Sequence, residues 1–480
     1  MSPPDNKEHA CDWQDYAKYL EEKLQTQAEQ IATLQKMVFG KKSEKLPSPE
    51  REIRRQKREE ERAKQQTEAL RTRRENAIAK TKLETRETSI AVPAEQCTCP
   101  KCGREQLMPV GSGKTSTVIK YIPGRFVREV FQRETLKCKC GKYMVTAPPP
   151  EKASEGSRYD ETFVAHLMVS KCADSIPIYR LEKQYRRAGV NVSRATMNEL
   201  LHRHAELLAP LSERLLKRIG ESEIVLADET TIKLQSAGRK AWMWVFLAGN
   251  LIGYRFSADR SGKTPQSVLG TTQGTLLVDA YTGYNSVTGV DGRERAGCLA
   301  HARRKLFEAR NVDESVSVAL DAIQSVYRVE HDAKEAGIAQ TDEHLRLRQQ
   351  RAGPAMATLL TWLEEKKTEY EPKNLLSAAI SYSLKNWEEL TRFLADPRIP
   401  VDNNRSERAL RVVALGRKNF LFAGNELAGK NLAGIYSLIA TCEACGVNPM
   451  AYLPDVLRRT SSHPAADIDA LLPDQWQPLD

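Results

Sequence analysis

A chain of 480 residues is long enough for several cores, and at roughly 150 residues per domain it holds about three or four. Its 73 basic residues outnumber its 63 acidic ones, and the net charge of +10 suits a polyanion such as nucleic acid. The polar start, Met1 to Trp13, lacks a signal-peptide pattern, and no apolar run nears the ~18 residues that span a bilayer, so a cytoplasmic, nucleoid-associated protein without a membrane partner is expected.

From Trp13, the positions Ala17, Leu20, Leu24, Gln27, Ile31, Leu34 and Val38 follow alternating steps of four and three, as in a coiled-coil seam. Residues 1–47 are therefore expected to self-associate into a homo-oligomer, although a lone amphipathic helix would carry the same pattern. The segment 48–90 is charged and poor in apolar residues, which predicts an exposed helical linker. Residues 91–150 change character, with strand-like pieces at Thr117 to Ile122 and Phe126 to Gln132 and a closing Pro148, Pro149, Pro150. Residues 151–222 read as consecutive helices, with Gly189 turning the chain and Ser193 placed to cap a helix carrying Met197, Leu200 and Leu201. A helix-turn-helix or a plain helical connector fits equally. From 223 to 312 strands at Ile224 to Ala227, Ala241 to Ala248, Ile252 to Phe256 and Thr275 to Val278 are expected, then a helix around His301 to Arg310, which is mixed α/β. A helical stretch, Ser315 to Leu394, fills 313–399 as an insertion; the second part of the core is 400–456, and 457–480 is a C-terminal tail.

Ten cysteines do not make a disulfide framework in so long a chain, and five of them lie between Cys97 and Cys140. Cys99, Pro100, Lys101, Cys102, Gly103 form a knuckle whose two-residue gap lets both thiolates reach one ion. With Cys138 and Cys140 they make four thiolates for a structural zinc, although the second gap is a residue short and Cys97 could replace a neighbour. A redox pair or a finger without metal are the other readings.

Asp228 follows Ile224 to Ala227 and Asp279 follows Leu276 to Val278, so each acid is expected where a buried strand emerges toward solvent. Carboxylates so placed suit magnesium or manganese, which prefer oxygen ligands and serve phosphodiester chemistry in pairs. Glu407 shares a helix face with Leu410, Arg411 and Ala414, and either Asp402 or Asn403 can cap that helix. Read from its surroundings alone, Glu407 is an ordinary salt-bridge partner of Arg411. His301 could serve as a base or a ligand, but an interior or DNA-facing histidine is the commoner outcome. Trp242 and Trp244 read as packing residues, and Cys442 and Cys445 as part of an apolar helix.

Several ordered blocks carry a resemblance. Phe39 to Leu46 follow the leucine-rich helix as a basic box containing Lys41 and Lys42. Asp228, Glu229, Thr230 and Val278, Asp279, Ala280, Tyr281 come next, then Cys298 to Arg304. Val401, Asp402, Asn403, Asn404 through Glu407, Arg408 lead on to Gly416, Arg417, Lys418, Asn419. In this order the sequence resembles the catalytic transposase, the TnpC-type protein, of the bacterial insertion-sequence family sixty-six. The resemblance implies a ribonuclease-H-like core interrupted by a helical insertion, with Asp228, Asp279 and Glu407 as a metal-binding DDE triad that cleaves and joins DNA. It also implies transposon-end and target DNA as partners, and two small accessory proteins from the same element. Lys41, Lys42, Arg303, Arg304, Lys305, Arg417 and Lys418 are candidate phosphate contacts. A catalytically silent zinc-containing DNA-binding regulator, or a general nuclease of the same fold, are the alternatives.

Overall fold

The structure, a computed structural model, describes residues 124–479 apart from 138, 140, 141, 143, 151, 155, 156, 236–239 and 371–373. The coiled-coil seam, the basic box with Lys41 and Lys42, and Cys97, Cys99, Cys102, Cys138 and Cys140 lie outside the described residues.

Two short strands, β1 (Thr135–Lys137) and β2 (Met144–Thr146), pair antiparallel. The strand expected at Phe126 to Gln132 forms no ladder. Alternation alone does not make a strand when an aromatic at its start is drawn elsewhere: the Phe126 ring stands 5.0 Å from that of Tyr185 and 5.8 Å from that of Phe163.

Four helices follow: α1 (Glu161–Cys172), α2 (Ile178–Arg187), α3 (Arg194–Leu207) and α4 (Ala209–Glu221). Gly189, at φ +85°, turns the chain between α2 and α3 where a side chain would be strained. Ser193 caps α3 through the Thr196 amide, and Met197, Leu200 and Leu201 are buried, as the sequence predicts.

The five-stranded sheet is built from β3 (Ile224–Lys233), β4 (Lys240–Ala248), β5 (Leu251–Ser257), β6 (Thr275–Val278) and β7 (Glu294–Gly297), in the spatial order β5-β4-β3-β6-β7. β3, β4 and β5 are an antiparallel meander, whereas β6 runs parallel to β3 and β7 parallel to β6. A short helix, α5 (Lys263–Leu269), leads into β6. Two expectations are corrected. β3 does not stop at Ala227; Glu229 to Lys233 keep pairing with β4, so Asp228 sits in mid-strand. β7 is an addition to the expected strands, hidden from the sequence pattern because only Ala296 of its four residues is buried and it pairs along one side only.

After β7 come α6 (Leu299–Glu308) and the helices α7 (Val316–Glu335), α8 (Asp342–Leu347), α9 (Gly353–Lys366), α10 (Leu375–Lys385) and α11 (Trp387–Thr391). A π-turn, Arg348–Ala352, joins α8 to α9. The chain leaves and re-enters the core at neighbouring points: the Leu299 amide bonds to the Val401 carbonyl at 3.0 Å. The helices α6 to α11 thus lie between two points of the chain that are bonded to each other.

The chain closes with α12 (Asn404–Phe420), α13 (Glu426–Cys445) and α14 (Pro449–Arg459). α12 packs on β3, α13 on β5 and α4, and α14 on α1, so the four N-terminal helices and the sheet share one hydrophobic core. The expected tail boundary at 457 falls inside α14. The segment beyond α14 is docked: Leu471 and Leu472 are buried, the Tyr452 hydroxyl bonds the Leu471 carbonyl at 2.8 Å, and Arg214 takes Asp469 bidentately at 2.6 Å. Among the described residues no helix is long and apolar enough to cross a membrane.

Candidate active site

The two aspartates meet where the parallel pairing of β3 and β6 ends. Leu226 is opposite Leu277 in the last pair of that ladder, and Asp228 and Asp279 follow two residues beyond it on their two chains, close enough for the charge of Asp279 to act on Asp228. The apolar residues before them are buried on both strands, which rigidly positions the acids beyond. Each carboxylate uses one oxygen locally: Asp228 accepts from the Glu229 amide at 2.8 Å and Asp279 from the Tyr281 amide at 2.9 Å. Neither bonds to a lysine, arginine or histidine among the described residues.

Glu407 comes from the first turn of α12, and the start of that helix is fastened directly to the strand of the first acid. Asn403, almost fully buried, gives its side-chain NH2 to the Ala227 carbonyl at 2.7 Å, while its own Oδ1 accepts from the Ser406 hydroxyl at 2.7 Å. The Asn403 amide bonds the Cys298 sulfur at 3.2 Å, and the Tyr254 hydroxyl holds the Ala409 carbonyl at 2.7 Å. Asn403 therefore occupies the cap position without capping by its side chain; Asp402 accepts from the Asn404 amide at 3.0 Å. The partner of Glu407 is not Arg411. Its Oε1 lies 3.5 Å from Arg304 and 3.9 Å from His301, both on α6.

Burial raises the Asp228 carboxyl to about 7, with the negative charges of Glu229, Asp279 and Glu407 adding to the shift and the Glu229 amide opposing it. An acid cluster with no cation among its bonding partners, at least for the two aspartates, is the donor set a divalent metal takes. Three such groups are not closed around one point, however: among the described residues no set of three His, Cys, Asp or Glu side chains forms a metal cage. The cluster is a pair of aspartates with a third acid leaning toward α6.

The remaining expected residues divide. Arg304 and Lys418 are exposed, and Arg303 is half-buried. Arg417 points inward: it donates to the Thr231 carbonyl and hydroxyl, both at 2.7 Å, and so ties α12 to β3. Trp244 is buried in the sheet as expected, and Cys442 is packed inside α13. Sequence reasoning gave Glu229 and Tyr284 no role and passed over Arg260 and Arg295, and the four are linked to the turn that carries Asp279. The signal available was a second acid next to Asp228 at a position where strand alternation sends it to the opposite face.

Comparison with known proteins places this chain. Residues 156–431 match the model of the transposase IS66 family, residues 437–473 match the IS66 C-terminal element, and residues 96–141 match the zinc-finger binding domain of transposase IS66. The last match spans all four expected thiolates, and the second spans the docked C-terminal segment. Similar proteins include three uncharacterized proteins of Sinorhizobium fredii (strain NBRC 101917 / NGR234). Protein y4qI is 32% identical over 74% of this chain and 70% of its own length. Protein y4jD is 31% identical over 76% and 75%, and y4hP 28% identical over 82% and 75%.

Proposed function

This chain belongs to the IS66 transposase family, and from that premise we propose that it cleaves the ends of its element and joins them to target DNA through Asp228, Asp279 and Glu407. The observation that carries this reading is the aspartate pair itself: two acids that follow the paired stretch of adjacent parallel strands, one raised to about 7 by burial without a counter-charge. The sheet supports it, since three antiparallel strands followed by two parallel ones, with the first acid on the central strand, is the arrangement expected of a ribonuclease-H-like core.

Asp228 and Asp279 would hold magnesium or manganese between β3 and β6, and Glu407 would complete the set on releasing Arg304. A divalent ion bound there supplies positive charge to the phosphodiester and activates the attacking oxygen. The chain itself positions the acids through the β3–β6 register and the Asn403 bond, and it presents Arg303, Arg304 and Lys418 to DNA phosphates. In the first step water adds to phosphorus at the element's end and the 3′ oxygen departs with a proton. In the second that 3′ hydroxyl attacks a target phosphodiester and displaces another 3′ oxygen. No covalent enzyme intermediate is needed.

Cys99, Cys102, Cys138 and Cys140 we assign to a structural zinc, and the N-terminal seam to self-association. Incubating the protein with end-containing DNA and magnesium or manganese tests the whole reading. Metal-dependent nicking at the ends, lost in Asp228→Asn and in Asp279→Asn, is expected; nicking that survives both substitutions refutes the triad, and binding without nicking leaves a DNA-binding regulator.

A further inference from the structure

Glu229 follows Asp228 along β3 but lies on the other face of the sheet, since Asp228 is opposite Val245 and Glu229 opposite Trp244 on β4. Its side chain is 2% exposed, and a carboxylate so buried needs donors on both oxygens. It has them. Arg260, in the loop after β5, reaches Oε1 with Nε at 2.8 Å and Nη2 at 2.5 Å, and the Tyr284 hydroxyl reaches Oε2 at 2.7 Å.

Both donors are fixed to the turn that carries Asp279. Tyr284 lies five residues beyond that acid, in the 3-10 turn Thr282–Ser286. The Arg260 guanidinium stacks 3.9 Å from the centre of the Tyr281 ring and 4.9 Å from that of Trp242. The Tyr281 hydroxyl returns a hydrogen bond to the Arg260 carbonyl, and the Tyr281 amide holds Asp279 Oδ1. Arg295 on β7 clamps the same turn by its Asp279 and Tyr281 carbonyls, at 2.6 and 2.7 Å. The turn and the Arg260 loop leave no room between them: a Cβ on Gly262 would come within 2.7 Å of the Gly283 carbonyl.

We infer that Glu229 is a positioning residue that sets the spacing of Asp228 and Asp279. One end of it is covalently next to Asp228, and the other is gripped by two side chains locked to the Asp279 turn. The inference rests on the reading of the aspartates as metal ligands. Glu229 is not itself a ligand, because both its oxygens are occupied on the far face of the sheet. A glutamine there keeps the volume but removes the negative charge, so the pair with Arg260 loses its charge assistance and the Tyr284 hydroxyl must turn from donor to acceptor; both grips weaken.

The test uses the full-length protein. Mn2+ binding is measured by calorimetry without DNA, and Mg2+ dependence of end nicking is followed in parallel, for Glu229→Gln, Arg260→Lys, Tyr284→Phe and Asp228→Asn. Glu229→Gln and Arg260→Lys are expected to weaken Mn2+ binding about tenfold, with nicking recovering at high metal concentration. Tyr284→Phe removes one bond without changing shape and is expected to weaken binding about threefold, a readout that remains if Glu229→Gln does not fold. Wild-type Mn2+ affinity in Tyr284→Phe and in any folded Glu229 variant would make the residue merely structural. Complete loss of binding in Glu229→Gln, matching Asp228→Asn, would make it a ligand instead. Normal Mn2+ binding by Asp228→Asn would overturn the metal reading itself.

Discussion

Two hidden charges in this molecule are treated in opposite ways. Arg348, in the π-turn of the helical insertion, is 1% exposed and completely matched: Glu330 takes it on both carboxylate oxygens at 2.8 Å, and the carbonyls of Phe393, Asp396 and Ile399 take Nη1 at 2.8 to 3.0 Å. Asp228 is matched by a single backbone amide, and three other acids crowd it. A buried charge that is fully partnered organises the fold around it. One left without a counter-charge works against folding stability, and it fits the cation-binding role proposed for Asp228.

The contrast can be broken by substitution. Asp228→Asn should lower end nicking at least about a thousandfold, by analogy with removing a central electrostatic group from other active sites, while leaving the protein at least as stable at pH 8. Nicking assays and urea unfolding measure the two; a destabilised, active variant would erase the distinction. Arg348→Ala should do the reverse, costing about 3–5 kcal/mol in urea unfolding because it leaves Glu330 with His344 in place of a bidentate guanidinium and removes a donor from three carbonyls. Asn403→Ala lies between the two regions. It frees the Ala227 carbonyl and the Ser406 hydroxyl, so about 1–3 kcal/mol of stability should be lost together with most of the nicking activity per folded molecule.

The Asp228 carboxyl also makes stability depend on pH. The folded carboxyl of Asp228 is raised above its unfolded value, so its contribution to stability is full below about pH 4 and is lost as the pH rises through about 7. Metal binding has the opposite sign, since the proton must leave first. Below about pH 7, Mn2+ affinity should fall about tenfold per unit, and a flat titration would show that Asp228 is not a ligand. The smallest effect separates two neighbours on α12: Arg417→Met should cost about 1 kcal/mol in stability without altering DNA affinity, whereas Lys418→Ala should weaken DNA binding in a salt-dependent way and leave stability alone.

Much of the fold is legible in the chain. The apolar runs before Asp228 and Asp279 announce strands, and the Ser193 cap and the Gly189 turn mark helix ends, because each depends on near neighbours in sequence. The full length of β3 is not legible: Glu229 to Lys233 are mostly polar and stay in the sheet only because β4 pairs with them. β7 escapes notice for a related reason, with one buried residue in four to signal it. Arg417 looks like a phosphate contact by its position near the acids, and only its direction, toward Thr231, shows a different task.

The amino-acid sequence by itself determined the family, the order of the blocks and the candidacy of Asp228, Asp279 and Glu407. Motif order and local apolar pattern are properties of the chain, and they survive without coordinates. Tertiary structure alone decided that two of those acids lie close together while the third leans on Arg304 and His301, and that Glu229 binds the turn behind them. Those relations join residues far apart in the chain, and a side chain's direction there is settled by whichever donor or packing surface the fold brings within reach.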